Sequence, residues 1–119
     1  MTPLLIFLAG GGAAVGAIAR YSLGQLFAKI NNSPFPWGTW VINIAGTILL
    51  GLFAQWFEPY STAMWVLLGT GFCGGFTTFS TMSVETVRLF RANAWLALVY
   101  IISSFGIGLI VAWMIQLWL

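Results

Sequence analysis

Residues 71–81 read GFCGGFTTFST, and they lie inside a stretch, about 62–90, that is otherwise apolar and long enough to cross a bilayer. Three glycines (Gly71, Gly74, Gly75), four hydroxyl side chains (Thr77, Thr78, Ser80, Thr81) and three phenylalanines (Phe72, Phe76, Phe79) interrupt it. Glycine adopts backbone angles that other residues avoid, so Gly74-Gly75 predicts a helix that unwinds near residues 74–78. Unwinding frees carbonyls and amides at membrane depth, which is tolerated only where protein, an ion or water satisfies them. Freed carbonyls at the end of a half-helix suit a small cation such as Na⁺. The ring edges of Phe76 and Phe79, the positive part of the aromatic quadrupole, are suited to an anion. Both uses fit one break.

Outward from this stretch, the composition sets the class. The chain has 119 residues, 61% of them hydrophobic and 5% charged, with a mean hydropathy of +0.99, which places it among membrane proteins. Its charged residues are Arg20, Lys29, Glu58, Glu85, Arg88 and Arg91, and they leave the uncharged intervals 1–19, 30–57, 59–84 and 92–119. Each interval can hold a span, because crossing the hydrocarbon layer takes roughly 20 apolar residues. The expected fold is therefore an all-α membrane protein in which residues 1–119 form a single membrane domain, with spans at about 3–27, 37–57, 62–90 and 93–118.

Local signals set the boundaries. Thr2 and Pro3 suit a helix start, and NNSPFPWG (31–38) is the clearest loop. Glu58-Pro59 stops the second span, and Trp37, Trp40, Trp95, Trp113 and Trp118 lie near span ends as interfacial anchors. The N-terminal apolar segment has no basic lead-in and reads as a retained span rather than a cleaved signal.

Several function classes drop out. The chain has no histidine and a single cysteine, Cys73, so no thiolate–imidazole metal site forms and Cys73 reads as a packing residue. Its two carboxylates stand far apart in sequence, which gives no acid–base or nucleophile arrangement for an enzyme. A net charge of +2 provides no nucleic-acid footprint.

Polar residues inside the spans carry what remains. Gly12, Gly16, Arg20 and Gly24 recur every four residues, a seam that lets another backbone approach. Arg20 on that face either concentrates anions in a water-filled vestibule or snorkels to the interface. Asn43 lies mid-span between Thr39 and Thr47, and its amide must find partners or line a wet cavity. It serves either as interhelical glue or as an N–H donor to a dehydrating anion, and the two threonines favour the second reading. Tyr100, Ser104 and Gly108 form a further stripe at the same spacing, while Glu85 and Arg88, three apart, are placed to pair on a helix surface. Four short spans cannot easily enclose a pathway alone, so an oligomer is favoured.

At these residues the sequence resembles the Fluc (CrcB) family of small fluoride channels, whose signature is a broken third helix of the form GGxTTFSTF. Here the motif reads GGFTTFSTM, Gly74 to Met82, and the likeness extends through GAIAR (16–20), GTWVINIAGT (38–47) and Tyr100/Ser104. The resemblance implies an antiparallel dual-topology dimer with two pores. It implies a structural Na⁺ at the dimer interface, held by the backbone carbonyls of Gly74 and Thr77. Phe79 would then belong to a ring-lined constriction and Asn43 would face the pore. Thr39, Thr81, Glu85, Tyr100 and Ser104 would form a polar track, with Ser80 and Met82 of the motif and Arg20 alongside the pathway. Met82 replaces the motif's final phenylalanine. Lys29, Arg88 and Arg91 fall on one side of a four-span arrangement and Glu58 on the other, so pairing with an oppositely oriented relative is the alternative to a homodimer.

The function implied is passive export of fluoride from the cytoplasm through a multi-pass protein of the plasma (inner) membrane, with fluoride, Na⁺ and the lipid bilayer as its partners. A small dual-topology multidrug or cation exporter has a similar span count, but it needs a carboxylate in its first helix and residues 4–19 contain none. A membrane assembly subunit without transport would leave Asn43 and the helix break unexplained.

Overall fold

The computed structural model describes residues 2–118, in which no strand occurs. Helix α1 (Pro3–Ile30) starts on Thr2, whose hydroxyl accepts the Leu5 N–H at 3.3 Å, and α2 (Trp37–Trp56) follows the proline-rich loop. Helical turns then run unbroken over residues 62–76, here called α3, although their winding changes. Thr62–Met64 is α-helical, Trp65–Cys73 is a π-helix and Gly74–Phe76 returns to α geometry. Helix α4 (Phe79–Ala92) continues beyond a two-residue gap, and α5 (Ala94–Trp118) completes the chain. Among the described residues, α1, α2 and α5 are each long and apolar enough to cross a membrane, so the protein is a multi-pass membrane protein.

The helix break lies at Thr77–Thr78 and not at the glycines, which corrects the expectation that Gly74-Gly75 would unwind. Gly74 keeps helical angles (φ −62°, ψ −40°), whereas Thr77 (−86°, 155°) and Thr78 (−148°, 112°) are extended. Two hydroxyls make the gap. Thr77 Oγ1 folds back to the Cys73 carbonyl at 2.9 Å, the same oxygen its own N–H reaches, which closes the end of α3. Thr78 then acts as the N-cap of α4, accepting the Thr81 N–H at 3.2 Å.

The glycines serve close approach instead. A Cβ on Gly75 would fall on the Ala13 carbonyl oxygen, one on Gly16 on the Phe72 carbonyl oxygen and one on Gly12 on the Leu67 carbonyl oxygen. Helices α1 and α3 therefore pack backbone to backbone, the close contact that small residues permit where hydrophobic burial gives no drive. Gly24, expected on this seam, faces open space, because α3 has ended before α1 reaches it.

Helix α2 packs on α5, and α4 leans on α5 from the other side of the break. Between them sits a small core of Phe35, Met82, Leu89, Ala97 and Tyr100, with Trp40 and Leu96 against it. Phe35, carried in from the loop, meets the Tyr100 ring edge-on at 5.4 Å. Many large apolar side chains, Phe7, Ile18, Ile102 and Leu109 among them, point outward, as a lipid-facing or partner-facing surface requires.

Candidate functional site

Asn43 occupies the middle of α2 and clasps the break. Its Oδ1 accepts the Thr78 N–H at 3.0 Å, and its Nδ2 approaches the Thr78 carbonyl at 3.4 Å and the Met82 sulfur at 3.9 Å. One turn along, Thr47 Oγ1 donates to the Asn43 carbonyl at 2.9 Å. A side-chain amide thus replaces the helical partners that Thr78 lacks, which is how an interrupted backbone is kept at membrane depth.

The clasp opens onto a groove of about 560 Å³ lined from α2 by Asn43, Gly46 and Thr47, from the break by Gly74, Thr77 and Thr78, and from α5 by Ser104, Phe105 and Gly108. Phe79, the first residue of α4, stands at its edge with 69% of its surface exposed, its ring 6.5 Å from that of Phe105. Met82, set alongside the pathway by the resemblance, lines the groove, yet it is only 5% exposed and packs in the core around Tyr100. Phe105 was not anticipated, since nothing in its own neighbourhood distinguishes it from a lipid-facing ring.

Ser80 and Thr81 are exposed on the first turn of α4, with the Thr78 hydroxyl 3.4 Å from Ser80 Oγ and 3.2 Å from Thr81 Oγ1. One turn further, Glu85 accepts a 2.6 Å hydrogen bond from Thr39 of α2 rather than turning to Arg88, which is exposed. These two line a second hollow of about 240 Å³ with Gly24, Asn31 and Pro36. Tyr100 and Ser104 are both buried: Ser104 Oγ donates to the Tyr100 carbonyl at 2.7 Å, while the Tyr100 hydroxyl has no hydrogen-bond partner among the described residues. Arg20 is hydrogen-bonded within the chain. Its Nε donates to the Gly75 carbonyl at 3.2 Å, tying α1 to the end of α3.

This arrangement, a broken helix clasped by a mid-span asparagine over a groove edged by phenylalanine, meets a matching family model. Residues 7–115 match the family described as CrcB-like protein, Camphor Resistance (CrcB). The chain belongs to the CrcB family. Among curated relatives of this CrcB chain, one from Clostridium acetobutylicum named "Fluoride-specific ion channel FluC 2" is 44% identical, over 87% of this chain and 88% of the relative. A protein of the same name from Rhodococcus jostii is 42% identical over 96% and 95% of the two chains. "Fluoride-specific ion channel FluC 1" from Thermobifida fusca is 45% identical over 80% and 75%.

In this CrcB chain, neutral oxygens are what a metal ion would meet, because the described residues contain no cluster of three histidine, cysteine or carboxylate ligands. The carbonyls at the break divide into two sets. Cys73 O is taken by Thr77, Gly75 O by Arg20 and Thr78 O by Asn43. The Thr78 N–H, which would close a turn onto Gly74 in an unbroken helix, is diverted to Asn43, and Thr77 lies outside any helix. Gly74 is exposed at the groove, with nothing within 4 Å of its Cβ position. Gly74 and Thr77 thus combine access with carbonyls that no neighbouring side chain claims, the chemistry that suits a hard cation.

Proposed function

We propose that this chain is a fluoride-selective channel through which fluoride leaves the cytoplasm passively, and that it works in the plasma (inner) membrane as an antiparallel dimer. The observation that carries this reading is the relatedness itself: relatives named fluoride-specific ion channels match at 42–44% identity across most of the chain. The geometry supports it. Residues 62–92 supply the remaining crossing in two pieces, and their junction opens on a largely apolar groove into which Asn43, Thr47, Thr77, Thr78 and Ser104 bring polar groups.

In this reading Phe79 offers its positive ring edge to a partly dehydrated anion, and Asn43 holds the break so that the ring is presented. Thr39, Ser80, Thr81, Glu85, Tyr100 and Ser104 form the polar track on either side. The buried Tyr100 hydroxyl and the exposed Thr81 hydroxyl donate to nothing among the described residues, whereas the Thr39 and Ser104 hydroxyls are engaged within the chain and must turn to serve an anion. Fluoride enters cells as HF and is held inside as the anion, so an inside-negative potential is sufficient to drive its exit. The chain is thus a conduit and not an enzyme.

The carbonyls of Gly74 and Thr77 from each of two copies would hold a structural Na⁺. The cation would supply positive charge where two half-helices end. One chain gives half of such a cage, and a two-fold partner completes it, which favours a closed dimer. A homodimer is the simplest form, and an oppositely oriented relative the alternative. A proton-coupled exporter is disfavoured because no carboxylate lies anywhere in α1.

Reconstitution of the purified protein in liposomes, with fluoride efflux read by an electrode, tests the reading. Rapid fluoride release that ignores an imposed Na⁺ gradient is expected. A well-folded protein that moves chloride or an organic cation instead, or whose fluoride flux follows the Na⁺ gradient, overturns it. Orientation is tested separately by labelling a cysteine introduced at Asn32: a dual-topology dimer reacts from both faces of the membrane, and a single-facing label requires a partner relative.

A further inference from the structure

Arg20 sits on α1 one turn beyond Gly16, where the backbone-to-backbone seam with α3 ends. From there its Nε reaches the Gly75 carbonyl at 3.2 Å, across 55 residues of sequence. That carbonyl belongs to the last turn of α3, whose final residue is Phe76. The last carbonyls of any helix lack intrahelical donors and carry the negative end of the macrodipole. In a soluble protein water satisfies them. Here a cationic donor comes from another helix, as Arg20.

We infer that Arg20 is a positioning residue that caps the end of α3 from α1. By occupying the Gly75 carbonyl it leaves the Gly74 and Thr77 carbonyls to face the groove. Three donors share the work: Thr77 closes Cys73, Arg20 closes Gly75, and Asn43 takes both the N–H and the carbonyl of Thr78. Of these donors only Arg20 comes from α1, so it is the one whose hydrogen bond couples the seam of Gly12, Gly16 and Gly75 to the orientation of the break. Its planar guanidinium is suited to this because its donors are fixed in a fork and it is weakly hydrated for a cation. This assignment rests on the Na⁺ reading above.

A purely electrostatic Arg20 and a positioning Arg20 predict opposite signs for one measurement. Removing a like charge near a cation site tightens Na⁺, whereas loosening the carbonyls weakens it. The experiment is thermal denaturation of the purified dimer in detergent across a Na⁺ titration, with Li⁺ and N-methylglucamine as controls, on wild type, Arg20→Met and Arg20→Lys.

Positioning predicts that the Na⁺ concentration giving half-maximal stabilisation rises about tenfold in Arg20→Met, with partial recovery in Arg20→Lys. A midpoint that is unchanged, or that falls, overturns the inference, even if the melting temperature drops uniformly, since that is the mark of packing alone. If Arg20→Met does not fold, Arg20→Lys and Arg20→Gln are read in the same way. Wild type whose melting is indifferent to Na⁺ overturns the cation site itself. The readout needs no fluoride flux, so it stays separate from failure of the channel reading.

Discussion

Asn43 and Thr78 bind each other in both directions, the Thr78 N–H donating to Asn43 Oδ1 at 3.0 Å and Asn43 Nδ2 reaching back toward the Thr78 carbonyl at 3.4 Å. The pair joins the middle of α2 to the gap between α3 and α4, so the start of α4, and with it Phe79, is located by one side chain. Asn43→Ala is expected to lower stability by about 1–3 kcal/mol and to abolish most fluoride flux. Asn43→Asp keeps the acceptor for Thr78 and should fold better, yet its charge repels an anion and flux stays low. Chemical denaturation and liposome efflux measure the two effects. Normal flux in Asn43→Ala contradicts the clasp.

Two adjacent glycines are expected to respond differently to one methyl group. Gly75→Ala drives a Cβ onto the Ala13 carbonyl, so α1 and α3 must separate and the protein should fail to fold or lose its seam. Gly74→Ala meets nothing within 4 Å inside the chain, and its helical angles suit alanine. On the proposed dimer reading, any damage from Gly74→Ala then comes from outside the chain, through a partner copy or a cation held between the two. Size-exclusion chromatography with light scattering should show folded Gly74→Ala protein with a weakened dimer. An intact, Na⁺-responsive dimer argues against this surface as the interface.

Phe79 is exposed and Met82 is buried, so their substitutions separate presentation from packing. Phe79→Ile removes the quadrupole while keeping bulk, and it should cut flux severely with little change in melting. Met82→Leu conserves volume in the core, costs less than about 1.5 kcal/mol and changes flux modestly. Equal tolerance of both in the efflux assay means that the ring edge is not what the groove presents.

The Tyr100 hydroxyl is buried without a partner among the described residues, an arrangement that costs about 1–3 kcal/mol unless a ligand or water repays it. Tyr100→Phe is expected to leave the fold as stable as before or up to about that amount more stable. On the polar-track reading, fluoride flux should fall at the same time, because a buried donor without a partner among the described residues is lost. Melting temperature and efflux are read on the same preparation. A destabilised protein with unchanged flux would give Tyr100 a purely structural part.

The sequence by itself determined the class, an all-helical membrane protein, and singled out Asn43 and the 74–82 motif, which the fold brings into contact. Sparse charges and long apolar runs set helix length through local, additive energetics, and a mid-span asparagine announces a polar partner whatever that partner is. The motif from Gly74 to Met82 marked the break to within a few residues. What only the tertiary structure decided was the use of each residue there.

The glycines looked like the unwinding point because their conformational freedom is an intrinsic property. In the fold Gly75 serves the approach of α1 while Gly74 stays helical, and two threonine hydroxyls make the gap. Met82 and Phe79 stand three apart in one motif, yet α2 and α5 close over the first and leave the second open. That Arg20 of α1 meets the Gly75 carbonyl is likewise a fact of the fold alone. Each of these outcomes depends on which backbone lies opposite, a relation between residues tens of positions apart that no local pattern encodes.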